Sequence, residues 1–254
     1  MVQIKGNALI TGAAKRIGRH LALTLAQDGW AIAVHYRSAK EEAASLVDEI
    51  KAAGGTACSV QADLSQEVST STLVSASAAT LGGPITTLIN NASVFEHDTW
   101  ESACKASWNT HLDINLRAPF FLSQAMAKAL PKGQSGHIIN IIDQRVWKLT
   151  PDYLSYTLSK SALWTLTQTL AQALAPQIRV NAVGPGPVLK SIHQDEETFK
   201  KQSDALLLGK AASVGDVANT VKFLLDTPSI TGQMIAVDSG QHLAWKTPDV
   251  FGVD

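Results

Sequence analysis

The sequence contains few cysteines and few charged residues. Its 254 residues include two cysteines, Cys58 and Cys104, which form no Cys-x-x-Cys pair and no cluster with histidines. This argues against a disulfide framework and a structural zinc site, and we predict no bound metal. Charged residues make up 17% of the chain, below the roughly 25% of typical soluble domains, which favours helices with covered faces, as in a layered α/β protein or an oligomer.

An excess of charge of either sign is also absent. Lysine and arginine number 21 against 22 aspartates and glutamates, so the formal net charge is −1. A protein with so little net charge has no overall attraction to nucleic acid or to an anionic membrane, although a local basic site is allowed. No stretch comes near the roughly 18 uninterrupted apolar residues of a transmembrane helix, and Met1 to Gly6 lacks the apolar segment of a signal peptide. We therefore expect a reduced, cytoplasmic protein that acts on a small molecule, with no nucleic-acid or membrane partner.

Short apolar runs alternate with longer helical patterns along the chain. Several runs are rich in isoleucine, valine and leucine, which suits strands buried on both faces of a sheet. This alternation predicts an α/β fold with a Rossmann-type, doubly wound parallel sheet and helices on both faces. Because no linker or repeat interrupts it, we predict a single domain over residues 1–254. The expected strands lie at 8–10, 31–35, 57–60, 87–89, 137–142, 178–183 and 234–237, and the expected helices at 17–28, 40–53, 68–81, 108–130, 153–174 and 214–225.

The first predicted strand runs into a glycine-containing loop. The segment from Thr11 to Gly18 reads Thr-Gly-Ala-Ala-Lys-Arg-Ile-Gly. Gly12 permits a tight turn, Gly18 lets the next helix pack close to the strand, and the amino terminus of that helix offers N–H groups to a pyrophosphate. The loop resembles the Thr-Gly-x-x-x-Gly-x-Gly loop of short-chain dehydrogenases/reductases, with Arg16 in place of the middle glycine. An arginine there can direct its guanidinium at the pyrophosphate and into the active site, with Ile17 beside the cofactor; a surface arginine that caps the loop is the alternative.

The end of the second strand indicates which dinucleotide is bound. Residues 34–38 read Val-His-Tyr-Arg-Ser and include no acidic residue. NAD-preferring enzymes of this fold place Asp or Glu there for the ribose hydroxyls, whereas Arg37 and Ser38 offer a cation and a hydroxyl suited to a 2′-phosphate. NADP(H) is therefore the expected cofactor; the alternative is an arginine at a solvated strand end. Asp63 and Leu64 follow the third strand, where the family that the loop resembles borders the adenine.

Tyr156 and Lys160 give the strongest catalytic signal. They stand four residues apart in a helical pattern, so they share one face of the helix. Because a nearby ammonium stabilises phenolate, we expect Lys160 to lower the pKa of Tyr156 below the usual value of about 10 and make it a proton donor or acceptor. Tyr153 stands seven residues from Lys160 and is expected to face elsewhere.

Further matches extend the resemblance to short-chain dehydrogenases/reductases over almost the whole chain. Asn90-Asn91-Ala92 follows the fourth strand, where the family has Asn-Asn-Ala-Gly, Asn115 stands 41 residues before Tyr156, and Pro185-Gly186 matches the loop beside the nicotinamide carboxamide. The resemblance implies that Asn115 orders a water between the lysine and solvent. It also implies a homotetramer, with the long helices after the fourth and fifth strands packed between subunits. The cofactor contacts that it implies are Asn91, Ala92, Tyr156, Lys160, Pro185 and Gly186.

Two departures from the family pattern narrow the expected substrate. Thirteen residues before Tyr156, where the family usually has a serine that holds the substrate carbonyl, the sequence has Asp143, and Ser93 replaces a glycine. With Arg16 and Phe95, these residues resemble those of the pteridine reductases and dihydromonapterin (dihydropteridine) reductases. That group implies that Phe95 stacks on a pterin and that Ser93 and Arg16 reach polar edges or phosphate. Reducing a ring C=N requires a proton at nitrogen, which Asp143 with Tyr156 can supply.

Simpler interpretations of these substrate residues stay open. Phe95 could be core packing, Ser93 a small turn residue, and Asp143 an inactivating substitution in a relative that only binds nucleotide. The leading hypothesis is NADPH-dependent reduction of a pterin, dihydropterin or dihydrofolate ring C=N. The alternatives are a carbonyl or 3-oxoacyl reductase of the same family and a non-catalytic NADP(H)-binding protein. The expected catalytic residues are Asn115, Asp143, Tyr156 and Lys160.

Later segments of the chain are expected to complete the substrate pocket. A loop at Gly184 to Pro187 follows a strand, a pocket segment lies at about 187–213, and a tail lies at 240–254. Five aromatic or histidine side chains are candidates to line the pocket, without an assigned role: His97, Trp147, His193, His242 and Trp245.

Overall fold

Seven strands form the centre of the protein in the computed structural model, which describes residues 4–190 and 194–245. In chain order they are β1 (Gly6–Ile10), β2 (Trp30–Tyr36), β3 (Ala57–Gln61), β4 (Ile85–Asn90), β5 (Gly136–Ile141), β6 (Ile178–Pro185) and β7 (Met234–Val237). Their order across the sheet is β3-β2-β1-β4-β5-β6-β7, and all neighbouring pairs are parallel. All seven residues of β2 are buried, as expected for a strand covered on both faces.

Helices cover both faces of this sheet. The two larger apolar cores lie between the sheet and α1, α2 and α8 and between the sheet and α3, α5 and α6, and a small third cluster contains Ile142, Leu163, Ala182 and Met234. The predicted doubly wound α/β fold of Rossmann type is confirmed. The helices are α1 (Arg16–Gln27), α2 (Lys40–Ala52), α3 (Glu67–Leu81), α4 (Lys105–Leu112), α5 (Ala118–Ala129), α6 (Leu154–Leu174), α7 (Glu196–Asp204) and α8 (Val214–Asp226).

Two helical regions differ from the prediction. The expected helix at 108–130 begins earlier, and a π-helical turn (Asp113–Arg117) separates α4 from α5. Helix α7 lies inside the segment at 187–213 that was assigned to the pocket without a helix. It buries none of its residues, so it has no apolar periodicity to detect. Asp195 caps it by accepting a hydrogen bond from the backbone N–H of Thr198 at 2.7 Å, and this capping residue was the available signal.

The strand order places the loops after β1, β4, β5 and β6 at one edge of the sheet. The order reverses between β1 and β4, and in open parallel sheets ligands bind at the carboxyl ends of the strands near such a reversal. In the described ranges no helix has the length and apolar character needed to cross a membrane. Cys58 and Cys104 are free thiols. His193 and residues 246–254 of the predicted tail lie outside the described residues.

Candidate active site

The loop after β1 is packed so closely that two of its glycines have no room for a side chain. Gly12 has φ +62°, and a Cβ there would meet the Cα of Ala92 at 3.0 Å. A Cβ on Gly18 would lie 2.4 Å from the carbonyl oxygen of Gly12 and 2.6 Å from Nδ2 of Asn91. The Asn91 amide donates to the carbonyl oxygens of Thr11 (2.9 Å) and Gly12 (3.2 Å). Thus the sequence-predicted loop and the Asn-Asn-Ala segment after β4 form one compact unit.

The amino terminus of α1 borders a cavity next to this unit. Lys15, at the N-cap, makes no side-chain cap, and the first turn of α1 contains no acidic residue. Uncapped N–H groups at a helix start suit the oxygens of a diphosphate. The cavity, of about 360 Å³, is lined by Gly12, Lys15, Arg16, Ile17, Gly18, His35, Arg37, Asp63, Leu64, Asn91, Ala92, Ser93, Val94 and Ile114. These residues fit a dinucleotide.

Arg37 and Asp63 are among the residues that line this cavity. The guanidinium of Arg37 makes no ion pair or hydrogen bond with the part of the chain that the structure describes, so it is free to receive an anion. Hydrogen bonds from Ser65 hold the pKa of Asp63 below its usual value, so this carboxylate stays charged. Ser38 is exposed and does not line the cavity, in contrast to the prediction that paired it with Arg37.

His35 supports the same loop, and sequence reasoning had given it no role. It is 2% exposed. Its Nδ1 accepts a hydrogen bond from the backbone N–H of Gly12 at 3.0 Å, and its Nε2 contacts the carbonyl oxygen of Ala62 at 3.1 Å. Burial lowers the pKa of His35 from 6.5 to about 4. The ring is therefore neutral at physiological pH, as the accepted hydrogen bond requires.

The lowered pKa of His35 makes acid stability a test of this contact. In the unfolded chain His35 binds a proton below about pH 6.5, whereas in the folded chain it does so only near pH 4. The free energy of unfolding is therefore highest above pH 6.5 and falls as the pH decreases from 6.5 to 4. Between pH 7 and pH 4.5, protonation linked to His35 should lower the free energy of unfolding by about 2–3 kcal/mol. In His35→Gln, the drop in unfolding free energy between these two pH values, measured with urea, should be smaller by that amount. An unchanged drop would exclude a buried neutral His35.

Arg16 connects the phosphate loop to the segment after β6. It has φ +53°, a left-handed conformation that glycine adopts more easily. Its Nη2 donates to the carbonyl oxygens of Leu189 (3.3 Å) and Lys190 (3.0 Å). Arg16 lines both the dinucleotide cavity and a second cavity beside it, so it is neither a simple surface residue nor aimed only at phosphate.

Tyr156 and Asp143 face each other in the second cavity, which has a volume of about 490 Å³. The Tyr156 hydroxyl donates to Oδ2 of Asp143 at 2.8 Å. Oδ1 of Asp143 accepts from the backbone N–H of Arg145 at 2.8 Å, because Asp143 caps a short 3₁₀ turn (Gln144–Val146) directly after β5. The carboxylate is thus oriented by its own backbone turn and holds the phenol from the first turns of α6.

The electrostatics of this pair differ from the prediction that Lys160 lowers the pKa of Tyr156. Burial, together with the adjacent Asp143 carboxylate, raises the pKa of Tyr156 well above its usual value. Lys160 lies with Nζ 5.8 Å from the Tyr156 ring centroid and donates to the carbonyl oxygen of Ile141 at 2.9 Å. Burial lowers the pKa of Lys160 to about 8 and raises that of Asp143. The phenol therefore stays protonated.

Asn115 lies in the π-helical turn and is fully buried. Its Oδ1 accepts from the N–H of Val94 (2.9 Å) and the hydroxyl of Ser93 (3.2 Å). Its Nδ2 donates to the carbonyl oxygen of Val94 (3.0 Å) and to the Ser159 hydroxyl (3.1 Å). These bonds fix the loop after β4 and do not include Lys160; the water-ordering role implied by family resemblance stays a prediction.

Phe95 lies in the same cavity, stacked on Tyr153. The ring centroids are 4.2 Å apart with an interplanar angle of 9°, and the Tyr156 ring meets Phe95 edge-on at 4.7 Å. The expectation that Tyr153 faces elsewhere is wrong, since Tyr153 lines the same cavity as Tyr156 and Lys160. Tyr153 itself precedes α6 with φ +59°.

The structure brings together most of the predicted site residues and adds others. Pro185 and Gly186 line the second cavity with Ser93, but His97, Trp147, His242 and Trp245 do not. His242 instead contacts the Asp238 carboxylate at 2.6 Å. Val188, Leu189, Gln194 and Gln202 lie in the predicted pocket segment at 187–213, and Gln241 lies in the predicted tail. The lining residues that sequence reasoning gave no role in the site are Ile141, Ile142, Gln144, Arg145 and Tyr153.

Comparison with known proteins agrees with this arrangement. A family model described as Enoyl-(Acyl carrier protein) reductase matches residues 12–242. The 3-oxoacyl-(acyl-carrier-protein) reductase FabG of Staphylococcus aureus is 31% identical over 242 residues, which are 93% of this chain and 98% of that protein. An uncharacterized oxidoreductase of Methylorubrum extorquens is 36% identical over 249 residues, 94% of this chain and 99% of the relative.

Among solved structures, FolM alternative dihydrofolate reductase 1 from Brucella suis, in complex with NADP, has a TM-score of 0.94 and 47% identity. The alignment covers 98% of this chain and 99% of that chain. Matches of this extent, on a sheet with this strand order, establish that the chain belongs to the short-chain dehydrogenase/reductase family and is an oxidoreductase.

Proposed function

We propose that this protein reduces a ring C=N of a pterin, a dihydropterin or dihydrofolate, with NADPH as the reductant. The observation that carries the proposal is the hydrogen bond between the Tyr156 hydroxyl and the Asp143 carboxylate, at 2.8 Å in the second cavity. A ketone site needs a neutral hydroxyl to hold the substrate oxygen, whereas a C=N site needs a group that delivers a proton to nitrogen. The 47% identity to a protein titled alternative dihydrofolate reductase supports the same choice.

The residues of the first cavity support NADP(H) as the cofactor. The close structural neighbours from two Brucella species were solved with NADP. In this chain the start of α1 and the Gly12–Gly18 unit would hold the diphosphate, and Arg37 would receive the 2′-phosphate. When bound, NADPH supplies the hydride. The chain itself must supply the proton and position the ring.

The Tyr156/Asp143 pair is suited to hold and deliver that proton. The phenol keeps its proton because its pKa is raised, and the carboxyl keeps one to a higher pH than an ordinary aspartate. Lys160, buried against Ile141, places a positive charge nearby that offsets the charge left on the pair. Phe95 and Tyr153 offer flat apolar faces for a fused ring, and Ser93 lines the same cavity.

Turnover measurements decide between this function and its main alternative. We expect NADPH oxidation by the purified protein with 7,8-dihydropterins or dihydrofolate, and little with acetoacetyl esters or simple ketones. A carbonyl or 3-oxoacyl reductase is the alternative, favoured by the FabG relatives and by the family model. Ketone turnover without pterin turnover would establish that alternative.

Arg37 should determine the choice between NADPH and NADH. We expect Arg37→Ala to weaken NADPH binding by about 1.5–3 kcal/mol, the loss typical of a hydrogen bond to a charged group, and to leave NADH affinity nearly unchanged. Fluorescence titration of both nucleotides measures this. Arg19→Ala is the matched control, since Arg19 pairs with Glu49 outside the cavity. Equal loss for both nucleotides would rule out a 2′-phosphate contact.

A homotetramer is part of the same proposal. Large apolar side chains are exposed on the helices that were predicted to pack between subunits, namely Trp108 on α4, Phe120 on α5 and Leu158 on α6. Exposed apolar surface on adjoining helices favours association with further copies of the chain. Sedimentation velocity gives the oligomeric state directly.

A further inference from the structure

Arg145 lies in the substrate cavity without an assigned role. It sits in the 3₁₀ turn after β5, and its backbone N–H holds Asp143. Its side chain returns over the aromatic pair, with the guanidinium carbon 5.1 Å from the Tyr153 ring centroid and 5.9 Å from that of Phe95. A guanidinium over aromatic rings keeps its edge available for a ligand.

Most N–H donors of the Arg145 guanidinium make no hydrogen bond with the described residues. Nη1 donates to the Thr150 hydroxyl at 2.6 Å. Nε is buried without a partner, and Arg145 forms no ion pair in residues 4–190 and 194–245. Nη2 makes no hydrogen bond with the described residues and is not among the buried atoms, so it is the donor that a ligand in the cavity can reach.

The other arginines show how unusual this is. Four of the six arginines of the chain have their guanidinium groups bound to carboxylates or to backbone carbonyl oxygens, and these four are Arg16, Arg19, Arg117 and Arg179. Among the contacts of the described residues, the two arginines without such a bond are Arg37 and Arg145, and each lines a different cavity. Since Arg37 is assigned to the phosphate of the nucleotide, Arg145 is the corresponding free cation on the substrate side.

The charges of the substrate cavity also leave a positive excess. Its described lining contains Arg16, Arg145 and Lys160 but a single acidic residue, Asp143, which is already bonded to Tyr156. A neutral pterin would leave Arg145 without a counter-charge. A planar guanidinium matches a carboxylate by two parallel hydrogen bonds.

We propose that Arg145 recognises a carboxylate of the substrate, so that the preferred substrate is a dihydropterin with a carboxylated side chain, of the pteroylglutamate class. This rests on the proposed function and assigns specificity within it. Arg145 selects the substrate by binding its tail, while Tyr156 and Asp143 act on the ring.

Two substrates that differ only in charge test this role. Dihydrofolate and its dimethyl ester carry the same ring and tail, but the ester lacks both negative charges. We expect the wild-type protein to favour dihydrofolate, and Arg145→Gln to reduce the ratio of kcat/KM for acid over ester by about 10- to 100-fold, the factor expected for a charged hydrogen bond. Most of the change should lie in KM. Arg145→Lys, which keeps the charge and loses the planar fork, should retain part of the ratio, and Arg19→Gln should retain all of it.

The outcomes separate the two proposals. An unchanged ratio in Arg145→Gln, or an equal loss for both substrates, would show that Arg145 only supports the aromatic pair, and would overturn the inference while the wild-type protein still reduces pterins. Absence of wild-type turnover with every dihydropterin would refute the proposed function instead. Equilibrium binding of oxidised folate and its dimethyl ester, with NADP present, then still decides whether Arg145 selects the carboxylate.

Discussion

Replacing Tyr156 with phenylalanine should lower kcat for a dihydropterin by about 100- to 10,000-fold, the range of general acid–base contributions. The variant loses the hydroxyl that donates to Asp143 and keeps the ring that packs edge-on against Phe95. The fold should therefore persist, and the loss should appear in single-turnover NADPH oxidation as well as in the steady state. This is the larger of the two principal expected effects, because the phenol is the side chain that donates a hydrogen bond to the Asp143 carboxylate.

Tyr153→Phe is the matched control for this experiment. It removes a hydroxyl from a tyrosine in the same cavity that stacks on Phe95 but does not bond Asp143. Its loss of kcat should be far smaller than that of Tyr156→Phe. Similar losses in both variants would mean that the phenols act by shape or polarity and would remove the proton donor from the mechanism. Full activity of Tyr156→Phe would show that the proton comes from another group and would refute the chemistry assigned to Tyr156.

Asp143→Asn should lower kcat/KM for a dihydropterin by about 100-fold and change its pH dependence. The amide can still accept one hydrogen bond but cannot carry a transferable proton. In the wild-type protein the rate should fall as the pH rises through the pKa of Asp143, which burial raises above the usual value of an aspartate. In the variant that decline should disappear and leave the one caused by Lys160, whose cation is lost above about pH 8.

The pH profiles of the two proteins, measured with NADPH saturating, check this prediction. Asp152→Asn serves as the control, because Asp152 is an exposed carboxylate in the loop before α6 and does not line the cavity. A wild-type profile in Asp143→Asn would show that Asp143 is structural. A gain of ketone reduction in the same variant would favour the carbonyl-reductase alternative.

Local patterns in the sequence predicted the fold and the framework of the site well. Each strand was predicted from a short, mostly apolar run, and the signal is clearest for β2 and β6, which are almost fully buried. Gly12 and Gly18 were found because close packing permits no other residue there. These features depend on neighbours in sequence, which is where pattern reasoning is strong.

What escaped prediction depends on contacts between distant segments. The predicted direction of the pKa shift of Tyr156 was wrong because burial of the phenol, together with the Asp143 carboxylate on another element, raises this pKa. The roles of His35 and Arg145 were missed, since their partners lie on other loops or on the far side of a cavity. Helix α7 was missed because it buries no apolar face.

Arg16 makes the affinities of the two cavities interdependent. One guanidinium borders both of them and is bound to the carbonyl oxygens of Leu189 and Lys190. A ligand in either cavity that draws the Arg16 guanidinium toward itself must break the hydrogen bonds to those two oxygens. The free energy needed to break them therefore affects binding in both cavities. Thermodynamic reciprocity then requires that nucleotide and substrate change each other's dissociation constant by the same factor, whichever of the two binds first.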